Sequence, residues 1–170
     1  MAQYARPDSD IDSGWTQSTG STLYECVDEV TANDDTDYIY TGSQGATCQV
    51  GLGTVTDPQV GTGHVCRWRW KSTGGSPPQK GTIGLYEAST TLRALLADAA
   101  NVGTSWESGS LTLTEIQANA ITDYSDLSVR FEADTLGGGE ELAVTWFELE
   151  VPDAPAPGGA ASNLALMGVG

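Results

Sequence analysis

From His64 to Lys71 the chain reads His-Val-Cys-Arg-Trp-Arg-Trp-Lys. Successive side chains of a β-strand point to opposite faces, so this run places Cys66, Trp68 and Trp70 on one face and Arg67, Arg69 and Lys71 on the other. A helix would scatter both sets around its circumference. The segment is therefore a half-buried strand, and the same period recurs along the chain. It governs Leu23–Val27, Tyr38–Tyr40, Gln49–Val55 (ended by Asp57-Pro58), Thr82–Glu87, Ser110–Thr114, Leu127–Glu132 and Glu141–Val151. Thr91–Ala99 fits either helix or strand by pattern, and the spacing of its flanking turns favours strand.

Turn chemistry punctuates these runs. Asn33-Asp34-Asp35-Thr36-Asp37, residues 72–78, Asp123–Asp126 and Gly137-Gly138-Gly139 all read as turns or loops. One short helix is expected at about residues 115–121, where Thr114 can N-cap and Gln117 completes a capping box. Roughly nine short strands separated by frequent turns define an all-β fold, a single jelly-roll-like antiparallel β-sandwich. The chain has 170 residues, which suits one domain with a real core. Residues 1–20 are polar and turn-rich around Trp15 and read as an extended N-terminal arm. Residues 21–152 form the sandwich, and residues 153–170 a Pro/Gly/Ala-rich C-terminal tail.

Charge narrows the function. Twenty-three Asp and Glu oppose seven Lys and Arg, giving a formal net charge of −16. Such a field repels phosphate backbones and anionic lipid heads, so nucleic acid and membrane are excluded as partners. No apolar run is long enough to cross a bilayer, and the first residues lack the pattern of a signal peptide, so synthesis in the cytoplasm is expected. His64 is the single histidine, and Cys26, Cys48 and Cys66 form no CxxC pair. Nucleophilic, redox and zinc chemistry thus lose their usual groups. No catalytic residue and no cofactor are assigned, and the chain is read as a non-enzyme. Acid pairs such as Glu148 and Glu150 read as solvated charge.

Three sets of residues remain as candidates. Asp34, Asp35 and Asp37 are weak candidates for a metal, because calcium takes carboxylate oxygens from flexible loops, but the EF-hand pattern is missing. Trp15, Trp68, Trp70, Trp106 and Trp146 could supply a sugar-stacking platform. A shared-face pair such as Trp68 and Trp70 more often fills a core. Arg67, Arg69 and Lys71 make the one basic row, suited to pairing with carboxylates of an adjacent strand or a neighbouring subunit. In the tail, Asn163, Leu164, Leu166, Met167 and Val169 form a small apolar patch on a tether, suited to docking on a neighbour.

Several stretches also resemble virion structural proteins of tailed bacteriophages. They are Ala5-Arg6-Pro7 with Ser9-Asp10 and Gly14-Trp15-Thr16, then Ser21–Tyr24 with Asp28-Glu29, and Asp37–Ile39. Gly63-His64-Val65 with Arg67 and Arg69, Ile121–Leu127 with Arg130-Phe131, and Trp146 with Glu148–Pro152 continue the likeness. The resemblance spans residues 5–155 and rests on turns and strands. It implies a jelly-roll displayed on a virion, most simply a capsid decoration (cement) protein on the outer surface of a phage head. Its partners would then be the major capsid protein and further copies of itself. The alternative is a carbohydrate- or receptor-binding module of a tail or head fibre.

Overall fold

The computed structural model describes residues 1–75 and 78–155. Among these, eleven strands build two antiparallel sheets packed as an all-β, jelly-roll-like sandwich. In chain order they are β1 (Gln3–Ala5), β2 (Pro7–Ser13), β3 (Thr16–Gln17), β4 (Ile39–Thr41), β5 (Thr47–Leu52), β6 (Val65–Ser72), β7 (Gln79–Glu87), β8 (Thr91–Val102), β9 (Glu107–Thr112), β10 (Leu127–Thr135) and β11 (Leu142–Val151). The first sheet runs β3-β4-β11-β6-β9, with β1 also paired to β11; the second runs β2-β5-β10-β7-β8. Helix α1 (Glu115–Asn119) has the expected capping box, with Thr114 and Gln117 bonded reciprocally.

The strand β6 alternates as its sequence requires. Cys66, Trp68 and Trp70 are buried, while Arg67, Arg69 and Lys71 are half-buried on the opposite face. Strand β11 does not keep one phase. Leu142 and Val144 point inward, and then Phe147, Leu149 and Val151 do. A bulge between Val144 and Trp146 absorbs the extra residue, which is how a strand exchanges its faces partway along. The Phe147 N–H freed there donates to the Val27 carbonyl at 3.1 Å, and the Thr145 hydroxyl donates to the Asp37 carbonyl at 2.7 Å. The bulge thereby turns Trp146, Glu148 and Glu150 to the outer face. Between the sheets, Phe131 contacts Trp15 and Phe147, with ring centroids 6.1 and 6.2 Å apart.

Two local expectations change. Leu23–Val27, expected as a strand, contains instead a 3₁₀ turn over Tyr24–Cys26. The Asp10 carboxylate accepts from the Leu23 and Tyr24 N–H groups at 2.8–3.0 Å, satisfying donors that a strand ladder would otherwise take. Residues 1–20, read from the sequence as an arm, are threaded into both sheets as β1, β2 and β3. Strand β2 forms a sheet edge and carries Asp8, Asp10 and Asp12, with register breaks between Pro7 and Ser9 and between Asp10 and Asp12. Cys26, Cys48 and Cys66 are buried free thiols. Burial pushes the Cys66 thiol up to about 12, and burial with the nearby Asp37 carboxylate pushes Cys26 up to about 11, so both stay protonated and inert. The proposed tail patch, Asn163, Leu164, Leu166, Met167 and Val169, lies outside the described residues.

Candidate functional site

The outer face of the first sheet gathers the chemistry. Register pairs Tyr40 with Ala143 and Ala143 with Lys71, so one cross-strand row sets an aromatic ring and an ammonium on either side of a small residue. Tyr38 enters beside this row, 5.8 Å from Tyr40 and 5.9 Å from Trp106 between ring centroids. The Lys71 ammonium lies 4.6 Å from the Trp106 ring centre and 5.8 Å from that of Tyr38. Tyr38, Tyr40 and Trp106 all remain partly exposed. The loop between the 3₁₀ turn and β4 closes this corner: Asp35 pairs with Lys71 and accepts the Trp106 indole N–H at 3.0 Å. The Lys71 ammonium and the Trp106 N–H hold the Asp35 carboxyl below its ordinary range.

The adjoining rows are ionic. Arg69 forms a two-pronged pair with Asp34, one contact at 2.9 Å, and donates to Ser108 at 3.1 Å. Arg67 reaches Glu150 at 2.6 Å and Glu148 at 3.5 Å, and Arg6 also pairs with Glu148. The basic row of Arg67, Arg69 and Lys71 thus meets carboxylates of the neighbouring strand and of a loop in the same chain. Asp34 and Asp35 are engaged by these cations, and Asp37 accepts the Thr19 hydroxyl at 2.7 Å. Among the described residues no group of three or more His, Cys, Asp or Glu is arranged to hold a metal ion.

The five tryptophans separate into two groups. Trp15, Trp68 and Trp70 are core, and Trp68 stands edge-on to Trp70 at 6.1 Å. Trp106 and Trp146 reach the outer face. Trp146 donates its indole N–H to the Glu29 carbonyl at 2.8 Å and so anchors the same loop. The rings that complete the exposed cluster are tyrosines. The signal for them is the Tyr38-Ile39-Tyr40 alternation, which puts two phenols on one face and a core isoleucine on the other.

Glu29 gives the loop a pH dependence. One carboxylate oxygen accepts from Asn33 at 3.1 Å; the other is buried with no hydrogen-bond partner among the described residues. Burial, joined by the charges of Asp37 and Asp28, pushes this carboxyl up to about 7. Its folded-state value lies above its unfolded one, so the folded form holds the extra proton and stability falls as pH rises from about 4.5 to about 7. Glu29→Gln removes this slope. Thermal unfolding at pH 5 and pH 8 is expected to show the variant gaining about 1–2 kcal/mol over the parent at the higher pH only. Equal gains at both pH values would assign the effect to something other than titration.

No family model matches the chain, and no curated protein does. Solved structures share its fold. The CBM22-1–GH10 modules of the Clostridium thermocellum xylanase 10B, complexed with xylohexaose, match with a TM-score of 0.52 at 9% identity, over 88% of this chain and 27% of that one. A family 35 carbohydrate-binding module from Clostridium thermocellum matches with a TM-score of 0.47 at 10% identity, over 88% and 97% of the two chains. The CBM36-1 domain of a multidomain xylanase from the hindgut metagenome of Trinervitermes trinervoides matches at 0.45 and 8% identity, over 92% and 100%. At these identities the likeness is one of architecture alone, and it rests on the first of these matches: the chain is a jelly-roll β-sandwich.

Proposed function

We propose that this chain is a non-catalytic carbohydrate-binding module, displayed on the outer surface of a phage particle as part of a tail or head fibre. The carrying observation is the half-exposed cluster of Tyr38, Tyr40 and Trp106 on the rigid outer face of a sheet, with Asp35 and Lys71 fixed among the rings. Aromatic faces take the C–H faces of sugar rings, and a few preset polar groups orient the hydroxyls. The acidic surface selects for neutral glycans over anionic ones. The virion placement rests on the sequence resemblance to phage structural proteins.

The test is a glycan array on the wild-type protein, followed by calorimetry with Trp106→Ala and Tyr38→Ala. Both side chains lie outside the buried core. Each variant is expected to keep its melting temperature within a few degrees and to lose affinity about tenfold, or 1.4 kcal/mol. A wild-type protein that captures no glycan, or variants that bind as tightly as the parent, sinks the reading.

A second reading, capsid decoration, draws on the placement of the chain ends. Strand β1 pairs with β11, and the Met1 ammonium contacts Asp153 at 2.9 Å, so both ends leave from one edge of the sandwich. On that reading, the residues beyond this edge would attach the domain to capsid subunits through combined weak contacts. Deleting residues 156–170 would then lower occupancy on purified particles, whereas the fibre reading expects no change there.

A further inference from the structure

A cavity of about 260 Å³ opens between the β5–β6 connection and the C-terminal end of α1 with the segment that follows it. It shares no residue with the aromatic face. One wall is built by Asp57, Gln59 and Val60, the other by Ala118, Asn119, Ile121 and Tyr124. The first wall is held in an unusual shape: Gln59 has φ +59°, a conformation L-residues avoid. It is kept there by Asp57, whose carboxylate accepts the Gln59 backbone N–H at 2.8 Å and its side-chain amide at 3.3 Å. The loop also lies hard against the helix end. A Cβ on Gly61 would come within 2.4 Å of the Asn119 side-chain oxygen. Strained backbone that is held this firmly tends to mark sites of function.

Behind the second wall sits the one histidine. His64 is fully buried, and its Nε2 is 2.7 Å from the Tyr124 hydroxyl. Its Nδ1 has no hydrogen-bond partner among the described residues. Burial lowers its pKa, against the Thr62 backbone and the Asp57 charge, so the ring is neutral at physiological pH. A core position would be served more cheaply by an apolar residue, since an incompletely bonded imidazole costs free energy. What the imidazole does supply is a fixed orientation for Tyr124, which lines the cavity. The Tyr124 hydroxyl carries one donor and two acceptor sites, of which His64 occupies one.

We propose that this cavity is a second binding site, and that it takes a single neutral sugar unit or a polyol of similar size. The residues lining the walls carry a carboxylate and two amides, beside Tyr124, a set that pairs with several neutral hydroxyl groups at once. No cation lines the cavity and Asp57 does, so acidic sugars are rejected. The volume lies just below the range of ~300–1,000 Å³ usual for ligand pockets, which suits one ring.

The experiment is a titration of the ¹⁵N-labelled full chain with methyl glucoside, methyl galactoside, methyl mannoside and N-acetylglucosamine, with glucuronate as the anionic control. At least one neutral probe is expected to shift the amides of residues 57–61 and 118–124 saturably, and glucuronate to leave them unmoved. Val60→Trp, at an exposed position in the mouth, is expected to abolish those shifts. Tyr124→Phe is expected to weaken binding about tenfold. The folded state of both variants is verified from their amide spectra, and Val60→Trp decides the matter if Tyr124→Phe does not fold. Shifts that survive Val60→Trp, or equal shifts with glucuronate, would overturn the proposal. So would perturbation confined to residues 34–40, 71 and 106, an outcome that leaves the aromatic-face reading standing.

Discussion

Trp68→Ala is expected to destabilise the domain by about 3–5 kcal/mol, enough to threaten folding at 37 °C. Trp68 is 5% exposed and packs edge-on against Trp70. On the neighbouring strand β9 its partner is Gly109, and the indole lies so close that a Cβ there would meet it at 2.3 Å. The ring therefore occupies space that no other side chain can fill, and truncation leaves a cavity. Trp68→Phe is expected to cost much less. Phenylalanine keeps most of the apolar volume and removes an indole N–H that is buried without a partner among the described residues. Urea denaturation of the two variants measures the difference. A small loss for Trp68→Ala would mean that the pair is not core, and would return these tryptophans to the ligand surface.

The second large effect is at Glu148, a carboxylate 6% exposed that lies between Arg6 and Arg67. Glu148→Ala is expected to cost about 2–4 kcal/mol, because it strands the Arg6 guanidinium, whose Nε already lacks a partner among the described residues. Arg67 suffers less, since Glu150 remains 2.6 Å away. The double replacement Arg6→Met with Glu148→Leu is expected to recover most of the loss, as paired apolar substitution of a buried ion pair commonly does. A double variant as unstable as Glu148→Ala alone would show that burial geometry, and not the stranded charge, sets the cost. Both are read from denaturant midpoints with unchanged slopes.

Much of this architecture is legible in the residues. The β6 alternation specifies its faces, the Thr114–Gln117 pair specifies the helix start, and the acidic Asp34–Asp37 segment specifies a turn. The phase change in β11 is also written in the sequence, since the apolar residues 142 and 144 are followed by 147, 149 and 151. What is not written is the long-range satisfaction of charge and backbone. Leu23–Val27 alternates like a strand, yet Asp10, thirteen residues upstream, captures its N–H groups. Residues 1–20 look too polar for a core, but edge strands need only one buried face. The candidate site was half visible: the basic row is there, but its partners lie on a loop and a strand far apart in sequence. The Tyr38–Trp106 contact and the His64–Tyr124 bond join residues 68 and 60 positions apart, and no local pattern reports such pairs.

The acid-studded, register-broken strand β2 has a consequence for crowding. An open sheet edge is a template on which another chain can add a strand. Here each approach would set Asp8 and Asp12 against like charge, on a backbone whose spacing no regular strand can follow. Copies of this domain at high local concentration are therefore expected to stay apart without zipping into fibrils.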